Sequence, residues 1–125
     1  MTRPERPFAS VSRLASLAHG LRGLRLFLAQ PNARIEAAIG LLTIALGAYL
    51  GISAAQWLAV LLAMALVLCC EALNTALELA VDLASPQWQA LARDAKDVAA
   101  AAVLMASIAA AIIGLLVFAP YVLKA

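Results

Sequence analysis

Glu71, Asn74, Glu78 and Asp82 bring three carboxylates and an amide to the end of a stretch that is otherwise apolar. At a helical step of roughly 100° per residue these four fall within about 80° of one another. Leu73, Leu77, Leu79 and Val81 lie largely elsewhere, so one helix face is acidic. Carboxylates in or beside a membrane-spanning helix are costly and are usually aimed at a protein interior, a partner charge or a metal. A helix end that has emerged into water would tolerate Glu78 and Asp82 without any such role. Glu71 is harder to place in water, because it directly follows the apolar run Leu58 to Cys70.

The elements that must hold these groups are set by hydropathy. No Lys, Arg, Asp or Glu occurs from Ala37 to Cys70 or from Val98 to Leu123. Each stretch exceeds the roughly 20 residues that cross a bilayer, and the first is long enough for nearly two crossings. With 66% hydrophobic and 13% charged residues among 125, the composition lies outside the soluble range. The expectation is an all-α integral membrane protein, an N-terminal amphipathic surface helix plus three transmembrane helices in a single domain spanning 1–125.

In chain order, residues 1–9 carry prolines and mixed charge and are expected to be poorly ordered. The surface helix is expected over 10–29, where Leu14, Leu17, Leu21, Leu24 and Leu28 form a stripe that excludes Arg13, Arg22 and Arg25. That stripe suits either the acyl boundary of a membrane or the flank of the other helices. Pro31 then restarts the chain into spanning helices over 32–50, 54–83 and 91–123. Gly51-Ile52-Ser53 is short and uncharged enough for a hairpin turn, with Tyr49 and Trp57 flanking it as interfacial aromatics. Ala99 to Ala102 and the Gly47/Gly51 pair offer small surfaces for close helix approach.

Charge sets the orientation. Eight of the nine cations lie before Glu36 or in the 83–97 connection, which places both regions and the N-terminus in the cytoplasm. Along the second span, Glu71 lies about 26 Å from the turn, near the inner edge of a hydrocarbon core roughly 30 Å thick. That is the depth of a lipid's head-proximal hydroxyl. Glu78 lies about 10 Å further on, where a water-soluble, metal-bound polyphosphate could reach it. Lys96 either snorkels to the interface or faces the acidic helix. Cys69 and Cys70 are adjacent in a helix and imply no disulfide. There is no Walker-type Gly-x-x-x-x-Gly-Lys and no Gly-rich kinase loop, so any nucleotide chemistry has to be built from helix faces.

Glu71-x-x-Asn74-Thr75-x-x-Glu78-x-x-x-Asp82, followed by Ala95-Lys96-Asp97-Val98-Ala99-Ala100, closely resembles the prokaryotic diacylglycerol kinase family of small membrane lipid kinases, which includes undecaprenol kinases. The resemblance runs from about Ser16 to Tyr121 and takes in Gly23-Leu24, Pro31-Asn32-x-Arg34-Ile35, Ser85-Pro86 and Gly114 to Pro120. It implies a homotrimer in the bacterial inner membrane that transfers the γ-phosphoryl group of ATP to the hydroxyl of diacylglycerol, or alternatively of undecaprenol. No nucleic-acid partner is expected.

In the family's terms Glu71 matches the general base and Glu78 a ligand of the ATP-bound magnesium ion. Asn74, Lys96 and Asp97 match residues lining the nucleotide and phosphate site. Two departures stand out. Many members carry a second metal-binding glutamate where this chain has Gln30, and a family aromatic near the nucleotide base falls on His19. Gln87 and Gln89 match a segment near the nucleotide. A reading from another class is a small transporter or proton-conducting oligomer with Glu71 as a relay carboxylate. A purely structural subunit gives no reason for the acidic face.

Overall fold

The computed structural model describes residues 12–124, all of its regular structure being helical: α1 (Arg13–Leu28), α2 (Pro31–Leu50), α3 (Ala54–Ala84) and α4 (Ala90–Leu123). Residues 1–9, expected to be poorly ordered, and the first residues of the expected 10–29 helix lie outside the described residues. The helices α2, α3 and α4 are each long and apolar enough to cross a membrane.

Each helix begins and ends for a local reason. Ser12 caps α1 by accepting the Ala15 N–H at 3.2 Å. Pro31 occupies the first turn of α2, where a missing N–H costs nothing. Gly51 ends that helix at φ +66, a left-handed conformation that only glycine adopts without strain. The Gly51 and Ile52 N–H groups both donate to the Gly47 carbonyl, at 3.0 and 3.2 Å, satisfying an otherwise orphaned acceptor. Ser53 and Gln56 then form a reciprocal capping box that starts α3.

Packing is tightest around this turn. Ile52, Val60 and Val117 form a buried cluster, with Leu50, Trp57, Met64, Ile113, Phe118 and Tyr121 against it. The buried residues of α2 are Ala33, Gly40 and Gly47, seven apart, a spacing that keeps a small-residue line on one face. A Cβ on Gly47 would meet the Trp57 indole at 2.9 Å and the Ile52 δ-carbon at 3.0 Å. Tyr49 faces outward, whereas Trp57, expected as its interfacial counterpart, is half-buried against Gly47. Trp57 shares the i, i+3 line of Val60 and Ala63, which turns it inward.

A polar clamp joins the helices beside the turn. The Tyr121 hydroxyl donates to Gln56 Oε1 at 2.7 Å, and that same oxygen accepts the Ser53 N–H at 2.9 Å. One amide oxygen thus links the end of α4 to the cap of α3. The two helices run antiparallel and pack along their length, while α2 touches α3 at fewer places.

No large side chain is fully buried among the described residues. Apolar side chains face outward from all four helices, as suits a chain whose surroundings include hydrocarbon. α1 buries no residue, and its stripe from Leu14 to Leu28 is exposed throughout. The Arg34 Nε donates to the Leu28 carbonyl at 2.8 Å, bracing the elbow between α1 and α2.

Candidate active site

The acidic face of α3 grades from interior to surface. Glu71 is 8% exposed and is the buried charged residue of the described chain. Asn74 is half-buried, and Glu78 and Asp82 are exposed. With a rise of 1.5 Å per residue, about 10 Å separates the closed end of this face at Glu71 from its open middle at Glu78.

Glu36 on α2 is half-buried. Glu36 follows Ala33 by three residues and precedes Gly40 by four, so it belongs to the small-residue face that lets α2 approach α3. Its Oε2 is inaccessible and has no protein donor. Glu36 lies outside the motif that marks the acidic face in the sequence. The available signal was its place, a turn inside the helix that Pro31 begins and next to an apolar run.

Further along, the Asn74 Nδ2 donates to Glu78 Oε1 at 3.3 Å, an i, i+4 contact that holds the glutamate against its own helix. The Asn74 Oδ1 is inaccessible and unpartnered, leaving an acceptor aimed inward. Lys96 on α4 donates to Asp82 on α3, joining the two helices where they diverge toward their connection. Both members are partly exposed, so the pair contributes orientation more than stability.

The connection itself forms a cavity of about 350 Å³ lined by Asp82, Gln87, Trp88, Gln89, Lys96 and Asp97 among others. The Ser85 hydroxyl donates to the Gln87 carbonyl at 3.0 Å and fixes the turn that shapes it. Gln87, Gln89, Lys96 and Asp97 are therefore brought together. Asn74, Glu78 and Glu71 lie further along α3 from this cavity. His19 on α1 and Gln30 at the start of α2 are exposed and line neither of the two cavities described here. Gln30 makes no capping bond with its side chain and is uncommitted.

A second cavity, of about 470 Å³, opens between α2, α3 and α4, on the side of Glu71 that leads to the Gly51 turn. Its lining is apolar apart from Thr43, Ser107 and Glu36, and Glu36 is the charged member. Among the described residues no three His, Cys, Asp or Glu side chains converge as a metal cage. Cys69 and Cys70 are free thiols.

Chemically, this arrangement offers a buried carboxylate about one turn from an apolar cavity, an exposed amide-braced carboxylate, and a polar cavity carrying a lysine. A proton acceptor next to an apolar slot suits a lipid alcohol, and the open polar end suits a phosphate-bearing cosubstrate.

Residues 18–118 match the family model described as prokaryotic diacylglycerol kinase. The undecaprenol kinase of Bacillus subtilis is 34% identical over 106 residues, covering 84% of this chain and 86% of that protein. A diacylglycerol kinase of a Synechocystis species is 44% identical over 89 residues, covering 70% of this chain and 51% of that protein. With three membrane-crossing helices and a family match over most of its length, the chain is a multi-pass membrane lipid kinase that belongs to the prokaryotic diacylglycerol kinase family.

Proposed function

We propose that the chain transfers the γ-phosphoryl group of ATP to the hydroxyl of diacylglycerol, giving phosphatidic acid. The observation that carries this reading is the gradient along α3, from the apolar cavity lined by Val67 and Leu68, through buried Glu71 about one turn on, to exposed Glu78 on the same helix face as Glu71. Undecaprenol is the second acceptor to weigh, because the Bacillus undecaprenol kinase aligns over more of both chains than the Synechocystis diacylglycerol kinase does.

In this reading Glu71 takes the proton of the lipid hydroxyl as its oxygen attacks the γ-phosphorus. The bond from that phosphorus to the bridging oxygen of ADP breaks in line, and ADP leaves. Phosphoryl transfer depends mainly on positioning and on stabilising charge over the phosphoryl oxygens. Lys96 supplies a cation for that charge, and Asp82 keeps its ammonium in the cleft until phosphate competes for it. Asn74, Gln87, Gln89 and Asp97 offer polar groups to the nucleotide, with His19 available to stack on its base.

Magnesium keeps several waters and is bound by one or two carboxylates together with substrate phosphates, so a site without a three-residue cage fits it. Glu78, held by Asn74, and Gln30 would hold the ion, with the unpartnered Asn74 Oδ1 as a further oxygen nearby. When bound, magnesium neutralises and orients the phosphates. The molecule works as a homotrimer in the bacterial inner membrane with its N-terminus in the cytoplasm, a reading supported by the cation distribution and by the outward-facing apolar surfaces.

The test is γ-labelled ATP with diacylglycerol and undecaprenol side by side in detergent micelles. Label in extracted phosphatidic acid supports the first acceptor, and label in undecaprenyl phosphate replaces it with the second. Label in neither overturns the reading.

A further inference from the structure

Resting on the kinase reading above, we propose that Arg93 is a second phosphate-binding cation: with Lys96 one turn along α4, it holds a phosphate group of the nucleotide in the cavity at the connection. Both residues line that cavity of about 350 Å³. At i and i+3 they are neighbours on one face of the helix. Gln87 and Gln89 add amide groups to the same wall.

The protein partner of Arg93 uses its guanidinium only in part. Nε at 3.2 Å and Nη2 at 2.9 Å both donate to a single oxygen, Oδ1 of Asp94. A guanidinium meets a carboxylate or a phosphate best as a fork, with two parallel N–H groups on two oxygens. Arg93 and Asp94 are adjacent in the sequence, so they do not face each other across the helix surface. Each side chain is 58% exposed, and an exposed pair of this kind is held weakly enough to exchange with a competing anion. Arg93 lines the cavity, and Asp94 stands outside its wall.

Helix stability does not account for Arg93 either. It sits in the first turn of α4, where the helix dipole presents its positive end and a cation is unfavourable. That turn carries no acidic residue, and the Gln89 side chain makes no capping bond. A phosphate group there meets two cations, one of them a fork that matches two of its oxygens. Asp82 and Asp97 line the same cavity and offset the two cations before the nucleotide arrives. Binding exchanges the carboxylate partners of Arg93 and Lys96 for phosphate oxygens, and no covalent bond changes.

The full chain in micelles tests this by calorimetry of magnesium-ADP binding, alone and in competition with adenosine, beside the KM values for magnesium-ATP and for the lipid acceptor. Arg93→Gln keeps length and polarity without the charge. It should weaken magnesium-ADP binding and raise the KM for magnesium-ATP about 10-fold, the low end of what a charge-assisted hydrogen bond contributes. Adenosine, which has no phosphate, should bind as it does to wild type, and the KM for the acceptor should not move. Arg93→Lys keeps the charge and loses the fork, so its loss should fall between wild type and Arg93→Gln. Asp94→Asn removes the competing carboxylate and should bind magnesium-ADP at least as tightly as wild type.

Wild-type affinity for magnesium-ADP in Arg93→Gln overturns the proposal, and an equal loss of ADP and adenosine does so too, by showing a structural role. A loss in Asp94→Asn equal to that in Arg93→Gln also overturns it, because the ion pair and not the cation would then matter. A change confined to the KM for the acceptor gives Arg93 to the lipid and ends its assignment to the nucleotide. If Arg93→Gln does not fold, Arg93→Lys carries the same comparisons with a smaller expected loss. Wild-type protein that binds no nucleotide takes down the kinase reading and this proposal together, whereas a wild type that binds magnesium-ADP confines any failure to Arg93.

Discussion

The two ends of the α3–α4 pair are built on opposite terms. At the Gly51 turn, glycine, tryptophan and isoleucine interlock, and one amide oxygen ties the cap of α3 to Tyr121 of α4. At the Ser85 end the polar groups outnumber their protein partners: Glu78 and Asp82 are exposed and the Asn74 Oδ1 has no donor. Burial and hydrogen bonding at the turn set the helix register, and that register delivers unsatisfied groups to the other end. Stability and chemistry are thus separated by the length of a helix, which allows each to be perturbed alone.

The largest expected effect at the chemical end, short of removing the base, comes from Glu78→Gln. It deletes a negative oxygen where the ion is proposed to bind, and losing even a group that only supports a metal ligand costs about 10- to 100-fold in metal affinity. The magnesium concentration for half-maximal activity should rise by that factor, excess magnesium should restore part of the rate, and the thermal midpoint should stay put. An unchanged magnesium requirement would remove Glu78 from the metal site.

At the turn the pattern should reverse. Gly47→Val forces a branched side chain against the Trp57 ring and Ile52, and overpacking of this kind costs about 1–3 kcal/mol. Thermal unfolding in micelles, followed by near-ultraviolet dichroism, should show a clear drop in midpoint. Gly40→Ala is the control, since its methyl would meet only the flexible end of Met64, and it should be tolerated. Equal effects from the two would break the picture of a rigid turn and a yielding middle.

The smallest effect is expected from Tyr121→Phe. It removes one hydrogen bond to Gln56, worth about 0.5–1.5 kcal/mol, and leaves that oxygen its bond from the Ser53 N–H. The midpoint should fall slightly with kcat unchanged. A large loss of kcat would show that the turn communicates with the chemistry.

The fold class was legible because each of its causes is local. Charge-free length marks the crossings, and Gly51 is the one residue type that adopts a left-handed cap at no cost. The acidic face was legible for the same reason, since a 3.6-residue period gathers Glu71, Asn74, Glu78 and Asp82 on one side of one helix. The burial of the Glu36 Oε2 was not, because it depends on how α2 packs on its neighbours. Lys96 lies between these cases. Its place at the polar end of α4 was legible from the charge pattern, but its choice of Asp82 as a partner depends on how α4 leaves the Ser85 turn. His19 and Gln30 sit on α1 and at the elbow, and a single chain brings neither to the cavity at the connection.

The central claim is that the buried carboxylate at Glu71 takes the substrate's proton, and kcat measured together with nucleotide affinity for Glu71→Gln tests it most directly. The substitution keeps shape and removes the proton acceptor, and general-base catalysis contributes about 10²- to 10⁴-fold. The account predicts a fall in kcat of that size at saturating magnesium, with nucleotide affinity and thermal midpoint close to wild type. A near-normal kcat in Glu71→Gln would contradict it.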